Sequence, residues 1–115
     1  MFIRGRRLRQ NENIRNLVEE TSISVNDLIM PIFLMDGKNK AEKISSMPGI
    51  FRKTLDRQLK DIDLAIKLGI NALIIFPVIK ERLKDPLGKE ALNKKGLIPK
   101  AISAIKKKFP KILII

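Results

Sequence analysis

The sequence contains no cysteine, no histidine, no tryptophan and no tyrosine. Without Cys it can form neither a disulfide nor a soft metal site, and without His it lacks the base of a Cys–His or Ser–His couple. Any metal held here would have to rest on carboxylates. Long apolar runs are missing too: Leu28 to Met35 and Ile70 to Ile79 fall far short of a membrane span. The opening Met1-Phe2-Ile3-Arg4 has neither the apolar stretch of a secretory signal nor a long Ser/Arg-rich extension. A cytoplasmic location with no membrane partner is therefore expected.

Acidic side chains are scarce. Lys and Arg number 24 against 12 Asp and Glu, giving a net charge of +12 and a pI near 10.3. Such an excess suggests a polyanion partner, because clustered cations release counterions from phosphates. The missing Trp and Tyr count against it, since modules that read single strands stack bases on aromatic rings. Heavy use of Ile, Lys and Asn, which biased codon usage would produce, accounts for the basicity without a binding role. No nucleic-acid partner is expected; a small basic nucleic-acid-binding protein is the alternative reading.

What the chain does contain is an ordered series of apolar segments. Residues 1–10 form a basic arm carrying Arg4, Arg6, Arg7 and Arg9, followed by a short helical pattern in which Ile14, Leu17 and Val18 share a face. Ser24 and Asp27 stand at capping-box spacing, with Asp in place of Glu or Gln, ahead of the run Leu28 to Met35. That run is too continuous for a half-exposed strand and predicts one buried on both faces, with Pro31 near its start. Asp36-Gly37 ends it. Thr54 suits a helix N-cap, and Leu55, Leu59, Ile62 and Ile66 then fall on one helical face until Gly69. Ile70 to Val78 predicts a second doubly buried strand. Pro99 suits the first turn of another helix, Ile98, Ile102, Ile105 and Phe109 repeat the same spacing, and Pro110 breaks it before Ile112 to Ile115.

Strand, helix, strand, helix, strand is the sequence form of right-handed βαβ crossovers in a parallel sheet. Three such strands leave both sheet edges open, and an apolar terminal edge is a hazard that complete proteins avoid. The expectation is an α/β chain forming the N-terminal part of a (β/α)8 TIM barrel, a fold that takes roughly 250 residues. Residues 1–24 are then an arm with a short helix, and 25–115 the first two βα units and the third strand of that barrel.

The connection Lys43-Ile44-Ser45-Ser46-Met47-Pro48-Gly49-Ile50-Phe51-Arg52 taken alone is a Pro-Gly turn packed by Met47 and Ile50. Its company says more. With Leu28-Ile29-Met30-Pro31-Ile32-Phe33 before it and Gly69-Ile70 and Phe76-Pro77-Val78 after it, it closely resembles the N-terminal part of the porphobilinogen synthase family, also called delta-aminolevulinic acid dehydratases. Arg6-Arg7-Leu8-Arg9, Lys84-Asp85, Gly88, Glu90-Ala91, Asn93, Gly96-Leu97, Ala101-Ile102 and Ala104-Ile105-Lys106 match in the same order. Lys89 and Leu92 depart from the family's small hydroxyl and aromatic residues.

The resemblance implies an enzyme that condenses two molecules of 5-aminolevulinate into porphobilinogen for haem and other tetrapyrroles. It implies two Schiff-base lysines, zinc or magnesium in the full-length enzyme, and a homo-octamer embraced by N-terminal arms, here Arg6, Arg7 and Arg9. In that family the lysines and the metal loop follow the third strand. No catalytic and no metal-ligating residue is therefore assigned to this chain, which is expected to bind no metal and to be inactive alone. Phe76, at the C-terminal end of the second strand, is the one substrate-proximal candidate, because barrel active sites lie at those ends. A different Schiff-base aldolase on the same barrel is the remaining alternative, since fold does not fix chemistry.

Overall fold

The computed structural model describes residues 5–115, so Arg4 lies outside them. Asn11 caps a short helix α1, Glu12–Leu17, by accepting from the Ile14 N–H at 2.9 Å. Neither Leu17 nor Val18 finds a cover and no residue of α1 is buried, so the arm has no core of its own. The Ser24/Asp27 box is present: the Ser24 N–H donates to Asp27 Oδ2 at 2.7 Å. What it caps is the single 3-10 turn Val25–Asp27, because Leu28 already has extended dihedrals.

Five strands, β1 (Met30–Met35), β2 (Ala41–Lys43), β3 (Phe51–Thr54), β4 (Ala72–Pro77) and β5 (Leu113–Ile114), form one sheet in the order β2-β3-β1-β4-β5. β1, β4 and β5 are parallel, joined by α2 (Leu55–Lys67) and α3 (Leu97–Lys108). Ile32 lies beside Ile75 and Phe33 beside Phe76, and β5 joins with Leu113 beside Ala72. Ile32 of β1, Leu73 of β4, Ile62 of α2, Ile105 of α3 and Ile112 make one buried cluster, with Leu55, Leu59, Ile66 and Phe109 packed on it. Both helices thus cover the same side of the sheet, as crossovers of one hand require. Each fully buried aliphatic chain contributes about 1.5–3 kcal/mol.

The structure corrects several sequence-level expectations. β1 and β4 are buried on one face among the described residues, not two: Ile32 and Leu34 are covered, whereas Pro31 and Phe76 are exposed. Strand residues alternate sides, and helices lie against only one of them. The loop after β1 contains the hairpin of β2 (Ala41–Lys43) and β3 (Phe51–Thr54), with β3 running parallel to β1 on its outer side. Its tip bears the signature of a type II turn: Pro48 is followed by Gly49 at φ 81°, and the Ile50 N–H reaches the Met47 carbonyl at 3.0 Å. Met47 and Ile50 are each 40% exposed, and Ile44 is the side chain that packs.

Thr54 occupies the N-cap position of α2 but makes no side-chain cap; its hydroxyl accepts from the Lys40 N–H at 3.1 Å. In α3 the buried positions are Ala101 and Ile105, while Ile102 is 36% exposed. The fully buried Ala101 occupies the sheet side of α3, Ile98 is half-buried and Ile102 stands on the flank.

Candidate functional site

Alternation along parallel strands decides which side chains meet. Ile32 and Leu34 face the helices, so Phe33 projects to the opposite, open face, and its neighbour in register there is Phe76. The rings stack with centroids 5.5 Å apart and planes inclined by 22°. Phe76 remains 43% exposed and lies next to the last residue of β4, where the sequence placed a substrate-proximal residue. Sequence reasoning missed Phe33 as its partner, because register between distant strands has no signature in either strand alone. Arg52 of β3 is the register partner of Phe33 on the other side and is half-buried.

Two polar devices fix this part of the sheet. Gln58 of α2, 3% exposed, donates from Nε2 to the Phe33 carbonyl at 2.9 Å. Beyond the strand ends, Asp36 Oδ2 meets Lys80 Nζ at 2.8 Å, and the Val78 N–H donates to the Leu34 carbonyl at 2.8 Å. The Lys80 hydrogen bond and charge hold the Asp36 carboxyl below its ordinary value of 3.8, with Lys100 adding to the effect. On the neighbouring loop, Asp56 accepts the Asn39 N–H at 3.1 Å on both oxygens, and Asn39 sits at a left-handed φ of 52°. The Thr54 hydroxyl and then that N–H hold the Asp56 carboxyl low as well.

The arrangement supplies a stacked aromatic wall and a clamped loop. Among the described residues no group of three or more Asp or Glu side chains gathers to hold a metal ion. Arg7 and Arg9 form a 3-10 turn with Leu8 and, like Arg6, are exposed. No described helix is long and apolar enough to cross a membrane.

Comparison with known proteins follows the same outline. The family model for delta-aminolevulinic acid dehydratase matches residues 2–115. The dehydratase of Bradyrhizobium diazoefficiens is 43% identical over 112 residues, covering 97% of this chain and 32% of that protein. That of Helicobacter pylori is 40% identical over 116 residues, covering 100% of this chain and 35% of that protein. The chain thus spans about a third of the length of these relatives. Among solved structures, delta-aminolevulinic acid dehydratase (porphobilinogen synthase) from Toxoplasma gondii, in complex with the reaction product porphobilinogen, matches with a TM-score of 0.91 and 37% identity. It covers 99% of this chain and 32% of that one. The α/β sheet accordingly stands as the N-terminal part of that barrel fold, and neither the nucleic-acid nor the aldolase alternative gains support.

Proposed function

The chain belongs to the delta-aminolevulinic acid dehydratase family, and from that premise we propose that it supplies the opening third of a porphobilinogen synthase, a lyase condensing two molecules of 5-aminolevulinate. The observation that carries the reading is the family match across residues 2–115, with the loop and strand motifs in one collinear order. In this reading the Phe33–Phe76 pair forms part of the wall of the substrate cavity at the C-terminal ends of the strands. Its apolar rings exclude water beside the reacting imine, and a desolvated lysine amine is more nucleophilic at neutral pH than a solvated one. Asp36–Lys80 and Gln58 hold the two strand ends at the spacing that this wall needs.

The described residues do not fit a metal ion. The zinc or magnesium of the reading belongs to the remaining two thirds of the enzyme, and no step here passes through it. A homo-octamer in the cytoplasm, with Arg6, Arg7 and Arg9 in the embracing arm, completes the proposal.

A chimera tests it: this chain replaces the matching segment of the Bradyrhizobium relative, and porphobilinogen formation from 5-aminolevulinate is followed by the colour of its pyrrole. A folded chimera makes porphobilinogen, and Phe76→Ala in it raises KM by about tenfold, the loss of roughly 1.4 kcal/mol of contact. A folded, assembled chimera that makes none sinks the reading.

A further inference from the structure

Past the end of β4, residues 78–96 run over the strand end before α3 begins, and two cavities lie beneath them. One, of about 340 Å³, is walled chiefly by Pro77, Ile79, Ala91, Leu97, Ile98 and Pro99. The other, of about 220 Å³, is lined by the cations Lys80, Arg82, Lys95 and Lys100 against Asp36 and Glu90. Both include Ile79, Glu90, Gly96 and Leu97 in their walls, so they adjoin. Neither is lined by Phe33 or Phe76.

The two acids are already engaged. Asp36 takes Lys80, and Glu90 accepts the Asn93 side-chain amide at 3.1 and 3.2 Å. Among the described residues Arg82, Lys95 and Lys100 enter no ion pair. With four cations against two carboxylates in the second cavity, an apolar bay that Glu90 also lines opens onto a bay of net positive charge. Together they have the size and the mixed lining of a small-molecule site.

We propose that these adjoining cavities bind a small amphipathic monocarboxylate, its branched alkyl tail against Leu97, Ile98 and Pro99 and its carboxylate between Arg82, Lys95 and Lys100. A neutral apolar molecule leaves the cations without a partner. Free phosphate leaves the apolar bay empty, and a polyanion meets the Asp36 and Glu90 carboxylates at short range. The site goes beyond the condensation reading and stands without it, because no residue of the aromatic wall takes part.

Titration of the protein with 4-methylpentanoate, read by the methyl resonances of Ile79, Ala91 and Leu97 and by calorimetry, tests the proposal. Neutral 4-methylpentanamide and inorganic phosphate are the comparison ligands. The acid saturates with a Kd on the order of 1 mM. The amide binds at least about fivefold more weakly, as does the acid to the doubly substituted Lys95→Gln, Lys100→Gln protein. Both lysines are exposed, so that variant keeps its fold. Ala91→Phe fills the apolar bay and abolishes binding of the acid. Equal binding of acid and amide, phosphate binding as tight as that of the acid, or no saturation below ~20 mM would overturn the proposal.

Discussion

Gln58 offers the sharpest test of how the helix layer holds the open face. It is 3% exposed, and its Nε2 stands 2.9 Å from the Phe33 carbonyl, on the residue whose ring stacks against Phe76. Gln58→Met keeps the length of the side chain and removes the donor, leaving a buried carbonyl short of one partner. The cost is about 1–3 kcal/mol, at the lower end if a ladder bond still occupies one lone pair. Gln58→Glu is the more revealing change. Near pH 7 it aims a carboxylate at a carbonyl oxygen in a water-poor site, for a cost of at least ~3 kcal/mol.

Burial and the facing oxygen raise the folded-state pKa of a glutamic acid at position 58 above its unfolded value of about 4.3. The penalty is then absent below that unfolded pKa, where the protonated carboxyl donates to the carbonyl as the amide does. It grows as pH rises from there toward the folded pKa. Urea unfolding of the wild type and both variants at several pH values, compared at each pH, reads this directly through the midpoint at constant slope. A Gln58→Glu protein within ~0.5 kcal/mol of wild type at pH 7, or a deficit that deepens on acidification, would refute the reasoning.

Other outcomes follow from single features. Ile62→Ala, at a fully buried core position, should cost about 2–5 kcal/mol in chemical unfolding, whereas Ile102→Ala on the flank of α3 should cost under ~1 kcal/mol; equal costs would mean that the helix face is misplaced. Gly69→Ala should cost about 1–2 kcal/mol, because φ is 93° and the added Cβ would lie 3.2 Å from Val25 Cγ1. Carboxyl NMR should find Asp36 titrating below 3.8 and moving up toward it in Lys80→Gln. Since its folded pKa is depressed, the stability that Asp36 adds is present above 3.8 and lost as pH falls through the lowered value; a titration unchanged by Lys80→Gln would exclude the pair as the cause.

Much of the order of elements was legible in the sequence, because it rests on local physics. The face of Leu55, Leu59, Ile62 and Ile66 packs as its spacing requires, Gly69 ends α2 in a left-handed conformation, and Pro110 stops α3. The Pro48-Gly49 turn and the Ser24/Asp27 box are also local, and both are present. The hairpin of β2 and β3 was not legible: its strands hold only three and four residues, too few for a period of two to stand out from a loop.

The sequence by itself determined that β1, β4 and β5 are strands joined through α2 and α3, that these three strands are parallel, and, through its motifs, the family. Those properties follow from spacing, caps and turn residues within a few positions of each other. Only the tertiary structure decided that Phe33 stacks on Phe76, that Gln58 reaches the β1 backbone, that Asp36 pairs with Lys80, and that Ala101 rather than Ile102 is buried. Each of these joins residues from different elements, or depends on how one element sits against another. Strand register and helix rotation, which set those distances, minimise the exposed area of the whole sheet and are encoded in no single segment.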